Sequence, residues 1–157
     1  MDKSLAQKPC KINVFETQKT SKMPKTLLSN WSNELKKYET MNMENFLANP
    51  DNFPLASYWL RLGMEAILTI GTHILSRLPQ NGKNKDYTQV FISLGGYGVI
   101  PQEFAQKVRG MAGYRNRLVH LYWEIKPEEL LAIIKNDLSD FEEFIKHIKE
   151  FIGKVNA

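Results

Sequence analysis

A chain of 157 residues that is 43% hydrophobic is sized for one domain with its own core, which excludes general disorder and a scaffold dependent on staples. The formal charge of +4 suits a nucleic-acid partner without requiring one, because much of the excess sits on lysines between Lys3 and Lys25 and on Lys83 and Lys85. The apolar runs are too short to cross a bilayer, Met1 opens a polar stretch unlike a signal peptide, and Cys10 has no second cysteine to pair with, so a cytoplasmic chain free of membrane is expected.

Residues 1–24 hold no sustained period and read as a flexible or irregular extension ahead of a helical domain over 25–153. Leu27, Leu28, Trp31 and Leu35 predict a first helix from about Thr26 to Tyr38. Asn42 can cap a short turn carrying Phe46 and Leu47, closed by Asn49 and Pro50. A second long helix is expected from Leu55 to Leu78, with apolar residues nearly all round it except for a polar strip of Tyr58, Arg61, Glu65, Thr69, Thr72 and Ser76. That pattern predicts a central helix. Pro79 to Lys85 is rich in turn formers. A third helix follows from Tyr87 to Leu94, stopped by Gly95, Gly96 and Gly98, and a fourth opens at Pro101 and runs to about Trp123. The fifth starts at Pro127, with Leu130, Leu131, Ile134, Leu138, Phe141, Ile145, Ile148 and Ile152 at helical spacing. No long segment alternates with period two, so the fold class is all-α, an up-and-down bundle of four to five helices.

The chemistry concentrates in RGMAGYRNRLVHLYWEI, residues 109–125. On a helical wheel Phe104, Val108, Met111, Leu118, Val119 and Tyr122 all fall within about 60° of Arg115, which places a permanent cation in an apolar stripe. Such a guanidinium needs an anion: a carboxylate of the protein, or a phosphate entering a cleft. Asn116 adjoins it. His120, whose side chain type titrates near neutral pH, lies five residues on and about 140° round the helix, so the two share a site only if another helix or a second copy of the chain supplies the far wall.

These residue types suit RNA cleavage by attack of a 2'-hydroxyl on the adjacent phosphate. His120 would move the proton, Arg115 would grip the non-bridging oxygens, Asn116 would add a hydrogen bond, and Tyr122 would position the phosphate or the arginine. Arg61 and Glu65, one turn apart, either form a structural ion pair or let Glu65 orient the cation on the facing helix. No metal or cofactor is called for, since the three histidines have no ligand spacing. His73 is expected to pack within its helix, and His147 to face water among Lys146 and Lys149. Trp31 and Trp59 read as core. On residue types alone two other readings stay open: a module that binds RNA, nucleotide or a partner without cutting, and a structural helical subunit in which Arg115 merely pairs with Glu65.

Arg115, His120 and Tyr122 stand in the arginine, four residues, histidine, any residue, tyrosine arrangement, and the segment resembles the HEPN superfamily, more narrowly its DUF86 or HepT-like toxins. ENFLANP at 44–50, LRLGMEAILTIGTHIL at 60–75 and the run from Gly96 extend the likeness over most of residues 27–152. The resemblance implies a dimerising HEPN-like bundle and a metal-independent endoribonuclease acting as the toxin of a toxin–antitoxin pair. It also implies an MNT-type nucleotidyltransferase antitoxin that silences the toxin by AMP transfer to the motif tyrosine, here Tyr122. Arg61 and Glu65 match polar family positions on the second helix. The mainly polar stretch of about 24 residues before the first helix departs from the family's pattern.

Overall fold

The computed structural model describes residues 25–78 and 86–155, with side chains from Asn30 onward. Helix α1 (Lys25–Glu39) turns Trp31, Leu35 and Tyr38 inward at helical spacing, and all three are buried. Asn42 caps α2 (Met43–Ala48) as expected, its side-chain oxygen accepting from the Asn45 N–H at 2.7 Å, and Phe46 of this short helix is buried. The expected arm at 1–24 and the loop at 79–85 lie outside the described residues.

Helix α3 (Asn52–Ser76) is the axis of the bundle, packing against α1, α2, α4, α6 and α7. Leu60, Met64, Ile67, Ile74 and Leu75 are buried on it, while Thr69, Thr72 and Ser76 remain exposed. Its crossing with α1 is close because Gly63 has no side chain: a Cβ there would stand 2.7 Å from Cε3 of Trp31. Phe141 meets the same indole edge-on at 5.1 Å between centroids.

Asp86 caps α4 (Tyr87–Gly96) by accepting from the Thr88 N–H at 3.1 Å. The stop signal at the glycines resolves into a specific turn. Gly98 takes a φ of 72°, the Val99 N–H donates to the Leu94 carbonyl at 3.0 Å, and the Gly98 N–H donates to Gly95 at 3.1 Å. This is the paired-bond termination that favours glycine at its left-handed position, and the flanking Val99 and Leu94 are buried.

The fourth helix is not continuous. It forms α5 (Gln102–Val108) and α6 (Gly110–His120), separated at Arg109, and the helix ends at His120 rather than near Trp123. Gly110 weakens the helix at the first boundary. At the second, Leu121 leaves helical geometry with φ −130° and ψ 34°, and a 3-10 turn (Tyr122–Glu124) delivers Ile125 to the core before Pro127 opens α7 (Pro127–Val155). The wheel drawn across residues 104–122 therefore fails at its far end.

Helix α7 lines the core with Leu130, Leu131, Ile134, Leu138, Phe141, Phe144 and Ile148. It also buries Asp140, whose carboxylate accepts from Lys107 Nζ of α5 at 2.8 Å. Among the described residues there is no strand, and no helix is long and apolar enough to cross a membrane.

Candidate active site

On α6 the centre of the inward face is held by Met111, Ala112, Tyr114 and Leu118, all buried, and Arg115 lies at its edge with 18% of its side chain exposed. Arg115 is thus a flanking residue of the apolar stripe and not its middle. Val119 and Tyr122, expected on the same inner side, are exposed instead, at 38% and 37%. Val119 turns outward on the helix, and Tyr122 lies beyond its end.

The anion that Arg115 requires is Glu65. Arg115 Nη2 donates to Glu65 Oε1 at 3.4 Å, and Arg61 Nη1 donates to the same oxygen at 3.3 Å. Both are long for charge-assisted bonds, which run near 2.7–2.9 Å. Two cations on one carboxylate leave the trio with a single positive charge. Arg115 Nη1 donates to Asn116 Oδ1 at 3.2 Å, which uses the amide oxygen of Asn116 and not its N–H groups. The guanidinium lies over the Tyr87 ring at 5.1 Å, while its buried Nε has no hydrogen-bond partner among the described residues. Glu65 thus contacts both Arg61 on its own helix and Arg115 on the facing one.

The neighbouring arginine is committed elsewhere. Arg117 makes a two-pronged pair with Glu129 in the first turn of α7, Nη2 donating to Oε2 at 3.2 Å and Nη1 bonding Oε1, and its guanidinium lies over the Tyr114 ring at 5.6 Å. Burial, then the nearby Glu129 carboxylate, pushes the Tyr114 hydroxyl well above the usual phenol range.

His120 is the last residue of α6 and is exposed. Tyr122, two residues further, sets its ring against Phe53 near the start of α3 at 5.4 Å. From Phe53 to Glu65 along α3, the partners run backwards from Tyr122 to Arg115, so α3 and α6 are antiparallel. Phe53 and Glu65 are twelve residues apart on α3, about 18 Å of helix. Tyr122 is accordingly at one end of this interface and Arg115 towards the other, with His120 and Arg61 between them in the residue order.

A cleft of about 550 Å³ opens beside Arg115, away from His120 and Tyr122. Arg115 and Glu65 line it together with Thr69, Thr72 and Ser76 of the polar strip on α3, and Leu68, His73 and Tyr87 complete it. Asn116, His120 and Tyr122 are not among its walls. His73, half-buried on α3, lines the cleft, and burial, with Arg77 nearby, lowers its pKa from the usual histidine value. Tyr87 was not legible as a site residue, because only the fold brings the first turn of α4 to α6. His147, expected in water, is 18% exposed, against the Phe104 ring at 5.1 Å and with Nε2 3.4 Å from Glu143 Oε1. Among the described residues no group of three His, Cys, Asp or Glu is placed to hold a metal ion.

The bundle carries an arginine and a histidine on α6 and a carboxylate facing the arginine from α3, and comparison with known proteins gives its family. Residues 29–148 match the family described as Ribonuclease HepT-like. The chain is 29% identical over 126 residues to a tRNA nuclease HepT of Aphanizomenon flos-aquae, covering 80% of this chain and 85% of that relative. It is 33% identical over 85 residues to an mRNA nuclease HepT of Shewanella oneidensis, covering 54% of this chain and 63% of that one. A toxin–antitoxin crystal structure with AMP-PNP shares the fold at a TM-score of 0.69 and 22% identity, over 80% of this chain and 93% of that chain. So does a tri-AMPylated Shewanella oneidensis HEPN toxin in complex with MNT antitoxin, at 0.69 and 23%, over 80% and 92%. The chain belongs to the HepT-like ribonuclease family.

Proposed function

We propose that this chain is the toxin of a HepT/MNT-type toxin–antitoxin system, a homodimeric, metal-independent endoribonuclease that cuts RNA by 2'-hydroxyl attack. The observation that carries the reading is the clamp on Arg115: a guanidinium fixed by Glu65 and Asn116, over-supplied with positive charge through Arg61, on the helix that ends in the exposed His120. The long Arg115–Glu65 contact leaves donors for a phosphate, whose charge rises in the transition state.

The 2'-oxygen attacks phosphorus and the 5'-oxygen leaves, giving a 2',3'-cyclic phosphate and a free 5'-hydroxyl. His120 takes the 2'-proton or protonates the leaving oxygen, and the N–H donors of Asn116 serve a phosphate oxygen beside Arg115. Arg115 and His120 lie about 140° apart on α6, so a second copy of the chain completes the far side of the site. The antitoxin acts at the other end of the interface: the exposed Tyr122 hydroxyl attacks the α-phosphate of ATP, pyrophosphate leaves, and the bulky anion blocks RNA next to His120. The two nuclease relatives are named for different RNA classes, tRNA and mRNA, so the family likeness supports an RNA substrate without fixing its class.

Cleavage of a defined single-stranded RNA in EDTA tests the reading, using wild type, Arg115→Ala and His120→Ala with end-group analysis. Cyclic phosphate ends from the wild type, lost in both variants, are expected. Undiminished cutting by His120→Ala overturns the chemistry. An intact-mass gain of one AMP, abolished by Tyr122→Phe, is the expected signature of the antitoxin.

A further inference from the structure

We infer that the cleft between α3 and the start of α4 is a nucleotide subsite, which seats one ribonucleotide next to the phosphate gripped by Arg115 and sets base preference. The inference rests on the proposed RNA cleavage for its choice of ligand, but the cavity stands on its own geometry. Its volume of about 550 Å³ falls within the few hundred to one thousand Å³ typical of small-ligand sites.

Each part of the wall matches a part of a nucleotide. One end is cationic: Arg115 lines it, and Arg61 behind it shares the Glu65 carboxylate, which leaves net positive charge for an anion such as the phosphate. Tyr87 covers Arg115 with part of its ring and is still 42% exposed, which offers aromatic surface to a base. Thr69 and Thr72 are exposed hydroxyl residues on the cleft side of α3, able both to donate and to accept, which suits a ribose hydroxyl or a base edge. Leu68 supplies an apolar floor. Glu65 and Ser76 are eleven residues apart, so the cleft runs along roughly 16 Å of helix, long enough for a nucleoside beyond its phosphate.

The motif residues cannot serve this purpose. His120 and Tyr122 are not among the cleft's walls, and of the motif residues Arg115 is the one that lines it. Arg115 thus joins the reacting phosphate to a selective pocket.

Binding is measured with the non-cutting His120→Ala protein, by anisotropy of a labelled single-stranded RNA, with the four nucleoside 5'-monophosphates as competitors. In that background Thr72→Trp fills the cleft from an exposed position, and Tyr87→Leu removes its aromatic wall while Tyr87→Phe keeps it. Thr72→Trp and Tyr87→Leu are each expected to weaken RNA binding about tenfold, the scale of one base–aromatic contact, and Tyr87→Phe to bind like its parent. The monophosphates should compete weakly and in an order that tracks the preferred base at the cut. Unchanged RNA affinity in Thr72→Trp, with the fold intact by circular dichroism, overturns the subsite. Monophosphate binding that is cleft-dependent while RNA binding is not also overturns it, in favour of a site for free nucleotide. Because this assay needs no cleavage, an uncut RNA in the wild-type assay defeats the proposed chemistry without touching the subsite.

Discussion

Replacing Glu65 with alanine tests the clamp on two independent scales. The carboxylate is 24% exposed and its two partners 35% and 18%, so the cost lies between that of a surface pair, below about 1 kcal/mol, and that of a fully buried one, about 3–5 kcal/mol. Contacts of 3.3 and 3.4 Å place it low in that range, and the half-buried Arg115 left without its counter-ion keeps it above zero. About 1–2 kcal/mol results. For a domain of this size that lowers the thermal midpoint by roughly 2–8 °C. Arg115 also loses its orientation, which should reduce kcat for RNA cleavage by about tenfold, the equivalent of 1.4 kcal/mol. Glu65→Gln keeps an oxygen acceptor and should fall between wild type and alanine on both measures. Thermal unfolding followed by circular dichroism and initial cleavage rates provide the readouts. If Glu65→Ala unfolds at the wild-type temperature and cuts at the wild-type rate, Glu65 neither balances nor aims Arg115.

Gly63→Ala drives a methyl into the Trp31 ring, which Phe141 holds from the other side, so overpacking should cost about 1–3 kcal/mol in urea unfolding. Arg117→Ala breaks a bridge whose side chains are more than a third exposed, so the thermal midpoint should barely move, and RNA cutting should survive it, in contrast to Arg115→Ala. Burial, then the neighbouring Asp140, raises the Asp137 pKa above the usual carboxylate value. A folded-state pKa above the unfolded one means that the folded state binds the proton more tightly, so this group's contribution to stability falls as pH rises through that range. Asp137→Asn should therefore raise the urea midpoint at neutral pH and flatten its fall with pH, and the gain should vanish below the usual carboxylate range; an unchanged pH profile counts against it.

Much of the helical plan was legible because apolar spacing is a local property: the capped turn at Asn42, the central α3 and the long α7 all follow from it. The Glu65–Arg115 contact was legible as one of two alternatives, since a cation beside an apolar stripe must find an anion. Three failures share a different cause. The wheel through Tyr122 assumed an unbroken helix, and nothing in the spacing shows that Leu121 leaves helical geometry. His147 was assigned to water by its lysine neighbours, yet Phe104 from α5 covers it. Tyr87 entered the cleft only through the packing of α4 beside α3 and α6. Contacts between elements distant in sequence decide such residues.

Helix α6 is bounded by the turn residue Arg109, which keeps helical φ and ψ, and by Leu121, which leaves them, and it carries Arg115, Asn116 and His120 in one continuous segment. Under the proposed chemistry, the reacting groups therefore share one backbone segment. The side chains opposite Arg115 that line the cleft sit on different helices, α3 and α4, and several are exposed. Under the proposed subsite, substitutions there would alter what is recognised while Arg115, Asn116 and His120 stay in place on α6.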